Sequence, residues 1–235
     1  MSGWARKRFW KTVEIVEQDG GFAVALDGRA IKTPAKAPLV LPTRALAELV
    51  AAEWRAQGDT INPDTMPATR AANAAIDKVR GQFQEVAELL TAYGGTDLLC
   101  YRADGPEELI ARQAAAWDPL LEWSAARFGV TWNVTSGVMP AEQAERTLAR
   151  LAAHVEAFTP FQLTAFHDLV AMPGSLVIGL AVTEGQSTPE DLWQVSRIDE
   201  DWQMEQWGPD DEASALAERR RQAFLDAARF FAACA

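Results

Sequence analysis

The spacing of hydrophobic residues changes about forty residues into the chain. Before that point, Phe22, Val24 and Leu26 alternate with smaller or polar residues, and a period of two indicates a β-strand. A tight turn is predicted on each side of this strand. The first is at Asp-Gly-Gly, residues 19–21, and the second at Asp-Gly, residues 27–28. Because links this short leave no room for a parallel crossover, we predict an antiparallel meander of strands.

From Thr43 onward the hydrophobic residues follow helical spacing. Thr43 is the predicted N-cap of a helix that Gly58 ends. Thr159 and Thr188 each precede a proline and then an acidic or amide side chain, a pattern typical of helix starts. Beyond residue 66 the predicted helices cover 68–80, 82–93, 106–128, 140–157, 160–183 with a break at Pro173, 189–206 and 210–232.

These patterns predict an α+β protein with two domains. Residues 1–66 would form a small antiparallel β-rich N-terminal domain with one helix, and residues 67–235 a larger helical C-terminal domain. We place the boundary in the irregular, proline-containing stretch around residues 58–70, where the composition shifts.

Charge is unevenly distributed along the chain. The formal net charge is −11, and residues 184–218 carry eleven acidic side chains against the single basic Arg197. A negative field repels phosphate backbones and anionic lipids, so we expect no nucleic-acid partner. The most apolar run, residues 169–182, is too short to span a bilayer and contains Pro173, so we expect no membrane insertion.

Motifs that would indicate catalysis or cofactor binding are missing from the sequence. No glycine-rich phosphate loop, zinc-protease motif or nucleophile elbow occurs, and two cysteines with two histidines give little material for a metal site. His167 and Asp168 are neighbours on a predicted helix, where their side chains point about 100° apart. We therefore expect no catalytic residue, no cofactor and no metal.

The most informative segment is the acidic helix after Arg197. At helical spacing, one apolar stripe is predicted from Leu192, Val195, Ile198 and Trp202. Glu200 and Asp201 point away from this stripe, as solvated residues should, whereas Asp199 falls within it. A carboxylate there needs a cation, a hydrogen bond or a partner that covers it. An internal ion pair with an arginine of another helix and a partner-facing carboxylate both remain open.

Glu53 and Trp54 form a second candidate site at the end of the first helix. Packing of Trp54 between the two halves of the molecule is the alternative to a direct partner contact. If the protein were an enzyme, Asp199 and Glu53 would be the candidate acid and base of a small-molecule site between the two domains.

Several short stretches, taken in order, resemble one known family. They are Arg8-Phe9-Trp10, Gly20-Gly21-Phe22, Leu26-Asp27-Gly28-Arg29, Lys32-Thr33-Pro34, Glu53-Trp54, Gln57-Gly58-Asp59-Thr60-Ile61, Thr96-Asp97-Leu98-Leu99-Cys100-Tyr101-Arg102, Trp117-Asp118-Pro119 and Trp207-Gly208. From about residue 8 to about residue 230, the chain resembles the ATP synthase F1 assembly factor that acts as chaperone for the α subunit.

The resemblance implies a chaperone that performs no catalysis. Such a protein binds the unassembled F1 α subunit, covers surface that would otherwise aggregate, and yields it to the β subunit. The family's functionally important carboxylate is carried onto Asp199, where the family usually has glutamate. With the aromatic and acidic neighbours, the candidate partner-binding residues are Asp199, Glu200, Trp202, Glu205, Trp207, Glu53 and Trp54.

Location and oligomeric state also follow from the resemblance as expectations. Mitochondrial relatives act in the matrix and carry a targeting extension. This chain begins almost at the shared region, so we expect a bacterial, cytoplasmic protein. We expect it to be a monomer.

Overall fold

The computed structural model describes residues 7–137 and 140–235, which group into two compact units. The first unit contains the described residues up to Phe83 together with residues 159–165 and 229–235. The second contains residues 84–158 and 166–228. The first unit takes in two later segments, so no single cut of the chain separates the units, and the predicted domains 1–66 and 67–235 stay a prediction.

A small antiparallel sheet forms the N-terminal part of the first unit. Its strands are β1 (Val13–Gln18), β2 (Gly21–Leu26), β3 (Arg29–Ala30) and β4 (Val40–Leu41). β2 pairs with β1 along its whole length, and with β3 and β4 at its two ends. The predicted α+β class and the antiparallel pairing are confirmed. The position of β4 differs from that in a simple meander, in which it would pair with β3. Because β3 has only two residues, the other end of β2 is free to pair with β4.

The predicted turn at Asp27-Gly28 joins β2 to β3. Both residues have positive φ, 47° and 78°, as a two-residue turn matched to strand twist requires. One carboxylate oxygen of Asp27 accepts hydrogen bonds from the backbone N–H groups of Thr12 and Lys11, at 2.8 and 3.0 Å. These bonds lower the pKa of Asp27 and fasten the turn to the segment before β1.

Gly21 occupies a position that only glycine fits. Its φ is +149°, and a Cβ atom added there would lie 2.1 Å from the carbonyl oxygen of Leu41. We expect Gly21→Ala to lower the free energy of unfolding by about 2–4 kcal/mol, since backbone strain and steric overlap add. Urea denaturation followed by circular dichroism measures the change. Gly20→Ala is the control: φ is +87° but the space is open, so a smaller loss is expected, and equal losses would contradict the steric argument.

Two helices complete most of the first unit, α1 (Arg44–Ala56) and α2 (Pro67–Asp77). The predicted cap is confirmed, because the Thr43 hydroxyl accepts a hydrogen bond from the Leu46 N–H at 3.1 Å. One face of α1 packs against the sheet and α2. The core of the unit includes Val24, Leu41, Leu46, Val50, Ala72, Phe161 and Phe230.

The second unit is almost entirely helical. Its elements are α3 (Phe83–Ala92), β5 (Tyr101–Arg102), α4 (Glu107–Phe128), β6 (Thr135–Ser136), α5 (Glu145–Glu156), α6 (Pro160–Ala171), α7 (Leu176–Thr183), α8 (Pro189–Val195), α9 (Ile198–Trp207) and α10 (Asp211–Ala233). Helices α6 and α10 also supply the two later segments of the first unit. Within the described ranges, no helix has the length and apolarity that crossing a membrane requires.

The predicted caps at Thr159 and Thr188 are confirmed. Thr159 exchanges hydrogen bonds with Gln162 through backbone and side chain, which is the reciprocal capping arrangement. The Thr188 hydroxyl accepts from the Asp191 N–H at 3.1 Å.

Two predicted helices have different bounds in the structure. The helix expected over 140–157 begins at Glu145. The Gln143 side chain exchanges hydrogen bonds with the backbone of Asn133 instead, just before β6, which pairs in parallel with β5. The single helix expected over 189–206 is interrupted after Val195. There the Ser196 hydroxyl donates to the Trp193 carbonyl at 2.6 Å, and a second helix, α9, starts at Ile198.

Candidate partner-binding surface

The inner side of α9 packs against α4 in the second unit. Trp202 is 7% exposed, and the Arg112 guanidinium of α4 lies 4.8 Å from the centre of its ring. Arg112 also donates to Glu205 at 2.8 Å. That hydrogen bond lowers the pKa of Glu205, so the carboxylate stays ionised while Arg112 covers the tryptophan.

Asp199 faces the same helix through a different contact. Its Oδ1 accepts a hydrogen bond from Gln113 Nε2 at 2.6 Å, and Gln113 in turn accepts from the Ala103 N–H at 2.8 Å. Gln113 is 1% exposed, whereas Asp199 is half-buried. Among residues 7–137 and 140–235, Asp199 has no ion-pair partner, so the internal ion pair with an arginine is wrong. The Asp199 carboxylate instead accepts a hydrogen bond from the side-chain amide of buried Gln113.

A groove lies on the other side of α9, bordered by α8 and α10. We call it the acidic groove; its volume is about 490 Å³, and residues that line it include Trp193, Asp201, Met204, Trp207, Asp210 and Glu218. Trp207 is 79% exposed at the end of α9, where Gly208 terminates the helix with φ of +88°. The groove therefore presents a large uncovered aromatic ring beside carboxylates.

Most charged groups of the acidic groove are already paired. Arg197 binds Glu200 at 2.8 Å. Arg221 binds both Glu190 and Glu218, at 2.7 and 2.9 Å, and so brings no free positive charge.

Two aspartates, Asp201 and Asp210, line the acidic groove. Asp210 accepts from the N–H groups of Glu212 and Ala213, at 2.8 and 3.0 Å, and begins α10. Asp201 was predicted to point into solvent, but it is partly buried, because residues of α8 and α10 line the same groove. In the part of the chain that the structure describes, its carboxylate has no hydrogen bond or ion pair, and burial raises its pKa.

Glu53 and Trp54 lie in the first unit and make contacts within it. The Glu53 carboxylate accepts from the N–H groups of Ala68 and Thr69, at 2.6 and 2.8 Å, and from the Thr69 hydroxyl at 2.6 Å. It therefore caps the start of α2. The ring of Trp54 meets that of Trp10 edge to face, 5.1 Å between centroids. A partner contact at these two residues stays a prediction.

Sequence reasoning did not find the contributions of α4 and α10 to this surface. Arg112 and Gln113 lie in a long helix with no motif around them, and only their contacts with α9 distinguish them. The sequence also did not indicate that α10 lines the acidic groove, since small residues such as Ala213 and Ala217 are common on any helix.

Comparisons with known proteins agree with this architecture. The model of the ATP12 chaperone protein family matches residues 7–125. Mitochondrial protein atp12 of Schizosaccharomyces pombe is 27% identical over 224 residues, covering 89% of this chain and 76% of the yeast protein. The crystal structure of Atp12 from Paracoccus denitrificans is 49% identical, covers 97% of this chain and 98% of its own, and superposes with a TM-score of 0.95.

A second structure, an aspartate-to-lysine mutant of Atp12p from Paracoccus denitrificans, covers the whole of both chains at 48% identity and a TM-score of 0.96. These matches confirm the resemblance drawn from the sequence, and they favour a chaperone over the alternative of a small-molecule enzyme. The chain belongs to the ATP12 chaperone family.

Proposed function

We propose that this protein is an assembly chaperone that binds the unassembled α subunit of the ATP synthase F1 sector. It shields the subunit from aggregation, yields it to the assembling complex and catalyses no reaction. The observation that carries the proposal is the uncovered Trp207 beside the carboxylates of α9 and α10, in a member of a chaperone family. It acts as a monomer in the bacterial cytoplasm.

The five candidate residues of α9 divide into two groups by their exposure. Glu200, Glu205 and Trp207 are exposed and would touch the client directly. Trp202 is buried and Asp199 is held by Gln113, so these two would position α9. An aromatic anchor with a charged rim suits reversible binding, because opposite charge speeds encounter while a limited contact permits release.

Capture of the isolated α subunit tests the function. We expect micromolar chaperone to suppress the light scattering caused by aggregation of separately expressed F1 α subunit. The two proteins should also elute as a complex in size-exclusion chromatography, and addition of the β subunit should dissociate that complex. Assembled F1 is the control and should not bind. The proposal fails if folded chaperone leaves aggregation of α unchanged.

Charge reversal at Asp199 tests the positioning of α9. We expect Asp199→Lys to weaken α capture roughly tenfold, since it removes the hydrogen bond from buried Gln113 and misplaces the helix that carries Trp207. Asp199→Asn keeps an acceptor oxygen and should hold capture within about threefold. Binding titrations measure both, with unfolding curves run alongside.

Glu142→Lys is the matched control for that reversal, because Glu142 is exposed and lies outside the acidic groove. It changes the net charge equally and should leave capture unaltered. Equal losses from Asp199→Lys and Glu142→Lys would show that total charge matters and the Gln113 contact does not.

A further inference from the structure

We infer that the acidic groove receives a basic segment of the client chain, with an arginine or lysine side chain lying against the ring of Trp207. This inference rests on the proposed chaperone function and specifies which surface is used and which chemistry it recognises.

The shape and apolar lining of the groove fit a few side chains of another protein. Trp207 is 79% exposed, although a tryptophan offers one of the largest apolar surfaces of any residue. Trp193 and Met204 add to the apolar lining, and the volume of about 490 Å³ leaves room for a few side chains of a partner.

The charge of the groove selects a cation. Arg197 and Arg221 are each neutralised by carboxylates of this chain, so neither attracts an anion. Neither Asp201 nor Asp210 forms an ion pair with an arginine or lysine in the described ranges, and Asp201 is partly buried. Arg197 attracts Asp201 only through space, since its guanidinium binds Glu200. An ammonium or guanidinium group of the client would compensate the charge of these carboxylates, and the face of a tryptophan ring attracts the same group.

The surrounding charge favours the same occupant at longer range. Residues 184–218, which include most of the groove, hold eleven acidic side chains and one arginine. Such a field accelerates the approach of basic surfaces and repels phosphate-bearing ligands. A small ligand is also a poor match, because small-molecule sites recess their aromatic walls and this ring stands in solvent.

Site-specific crosslinking to the F1 α subunit tests the occupant. Gln203→p-benzoylphenylalanine places a photoreactive group in the groove, and Gln186→p-benzoylphenylalanine places it on an exposed loop outside the groove. We expect at least fivefold more crosslinking from position 203, with the linked peptides of α carrying arginine or lysine. Equal yields, or linked peptides that are acidic or uncharged, overturn the inference even where α capture succeeds. If neither variant nor the unaltered protein captures α, the proposed function fails as well.

Substitutions of Trp207 separate ring chemistry from apolar area. We expect Trp207→Phe to retain capture within about threefold, and Trp207→Leu to lose about tenfold because it keeps apolar area without a π face. Leu89→Ala is the control, since Leu89 is 55% exposed in the same unit but outside the groove. Equal affinity of Trp207→Leu and the unaltered protein, measured in low and moderate salt, overturns the cation contact.

Discussion

Replacing Asp97 with alanine is expected to lower the free energy of unfolding by about 3–5 kcal/mol, the largest single effect we expect for this protein. Asp97 is fully buried, and its carboxylate accepts three hydrogen bonds. The donors are the Ser175 hydroxyl at 2.7 Å, the Val177 N–H at 3.0 Å and the Leu99 N–H at 3.1 Å. Alanine would leave all three buried donors without an acceptor. Urea denaturation followed by circular dichroism measures the loss.

Asp104→Ala is the matched control for this substitution. Asp104 is exposed seven positions further along the chain, so its removal should change the free energy of unfolding by less than about 0.5 kcal/mol. A similar small loss for Asp97→Ala would mean that water or a relaxed backbone satisfies the three donors.

The titration of Asp97 gives stability a defined pH dependence. Burial raises the pKa of Asp97 from 3.8 to about 6. Between these values the unfolded chain releases the proton and the folded chain retains it, so the contribution of Asp97 to stability falls as the pH rises. The fall amounts to roughly 2 kcal/mol between pH 4 and pH 7.

Asp97→Asn isolates this effect because asparagine does not titrate. The difference in unfolding free energy, unaltered protein minus variant, should therefore decrease from pH 4 to pH 7 and stay constant above pH 7. Parallel stability curves for the two proteins over this range would show that Asp97 ionises alike in the folded and unfolded chain.

Removal of the Glu53 carboxylate is the second large effect. Glu53→Ala should lower the free energy of unfolding by about 2–4 kcal/mol, because the start of α2 loses the acceptor of three hydrogen bonds from Ala68 and Thr69. Glu48→Ala is the control on the same helix. Its ion pair with Arg55 is exposed on both sides and should contribute almost nothing.

The same variant decides whether Glu53 contacts the client, as the sequence suggested. If its role is the cap alone, Glu53→Ala should capture F1 α subunit normally at a temperature where it is fully folded. A folded Glu53→Ala protein that fails to capture α would instead support direct contact at this residue.

Local features of this protein were readable from the sequence because their causes lie within a few residues. The Asp27-Gly28 turn needs two residues that tolerate positive φ, and Thr43, Thr159 and Thr188 cap helices through bonds to residues three positions away. The alternation of hydrophobic residues that predicts β2 also lies within a few residues. Family membership was also accessible, since it depends on the order of short stretches spread along the chain.

The roles of individual acidic residues depended on contacts between distant segments. Asp199 lies within the apolar stripe by helical spacing, but only the fold shows that Gln113, 86 positions earlier, supplies its hydrogen bond. Asp201 lies in the acidic groove because α8 ends at Val195 and α10 returns alongside α9. Asp97 belongs to one of the stretches that carry the family resemblance, but only the fold shows that Ser175 and Val177 donate hydrogen bonds to it. The sequence therefore determined the helices, turns and family, whereas tertiary packing decided which carboxylates are buried, paired or open to a partner, since burial and pairing are properties of neighbours that chain spacing does not specify.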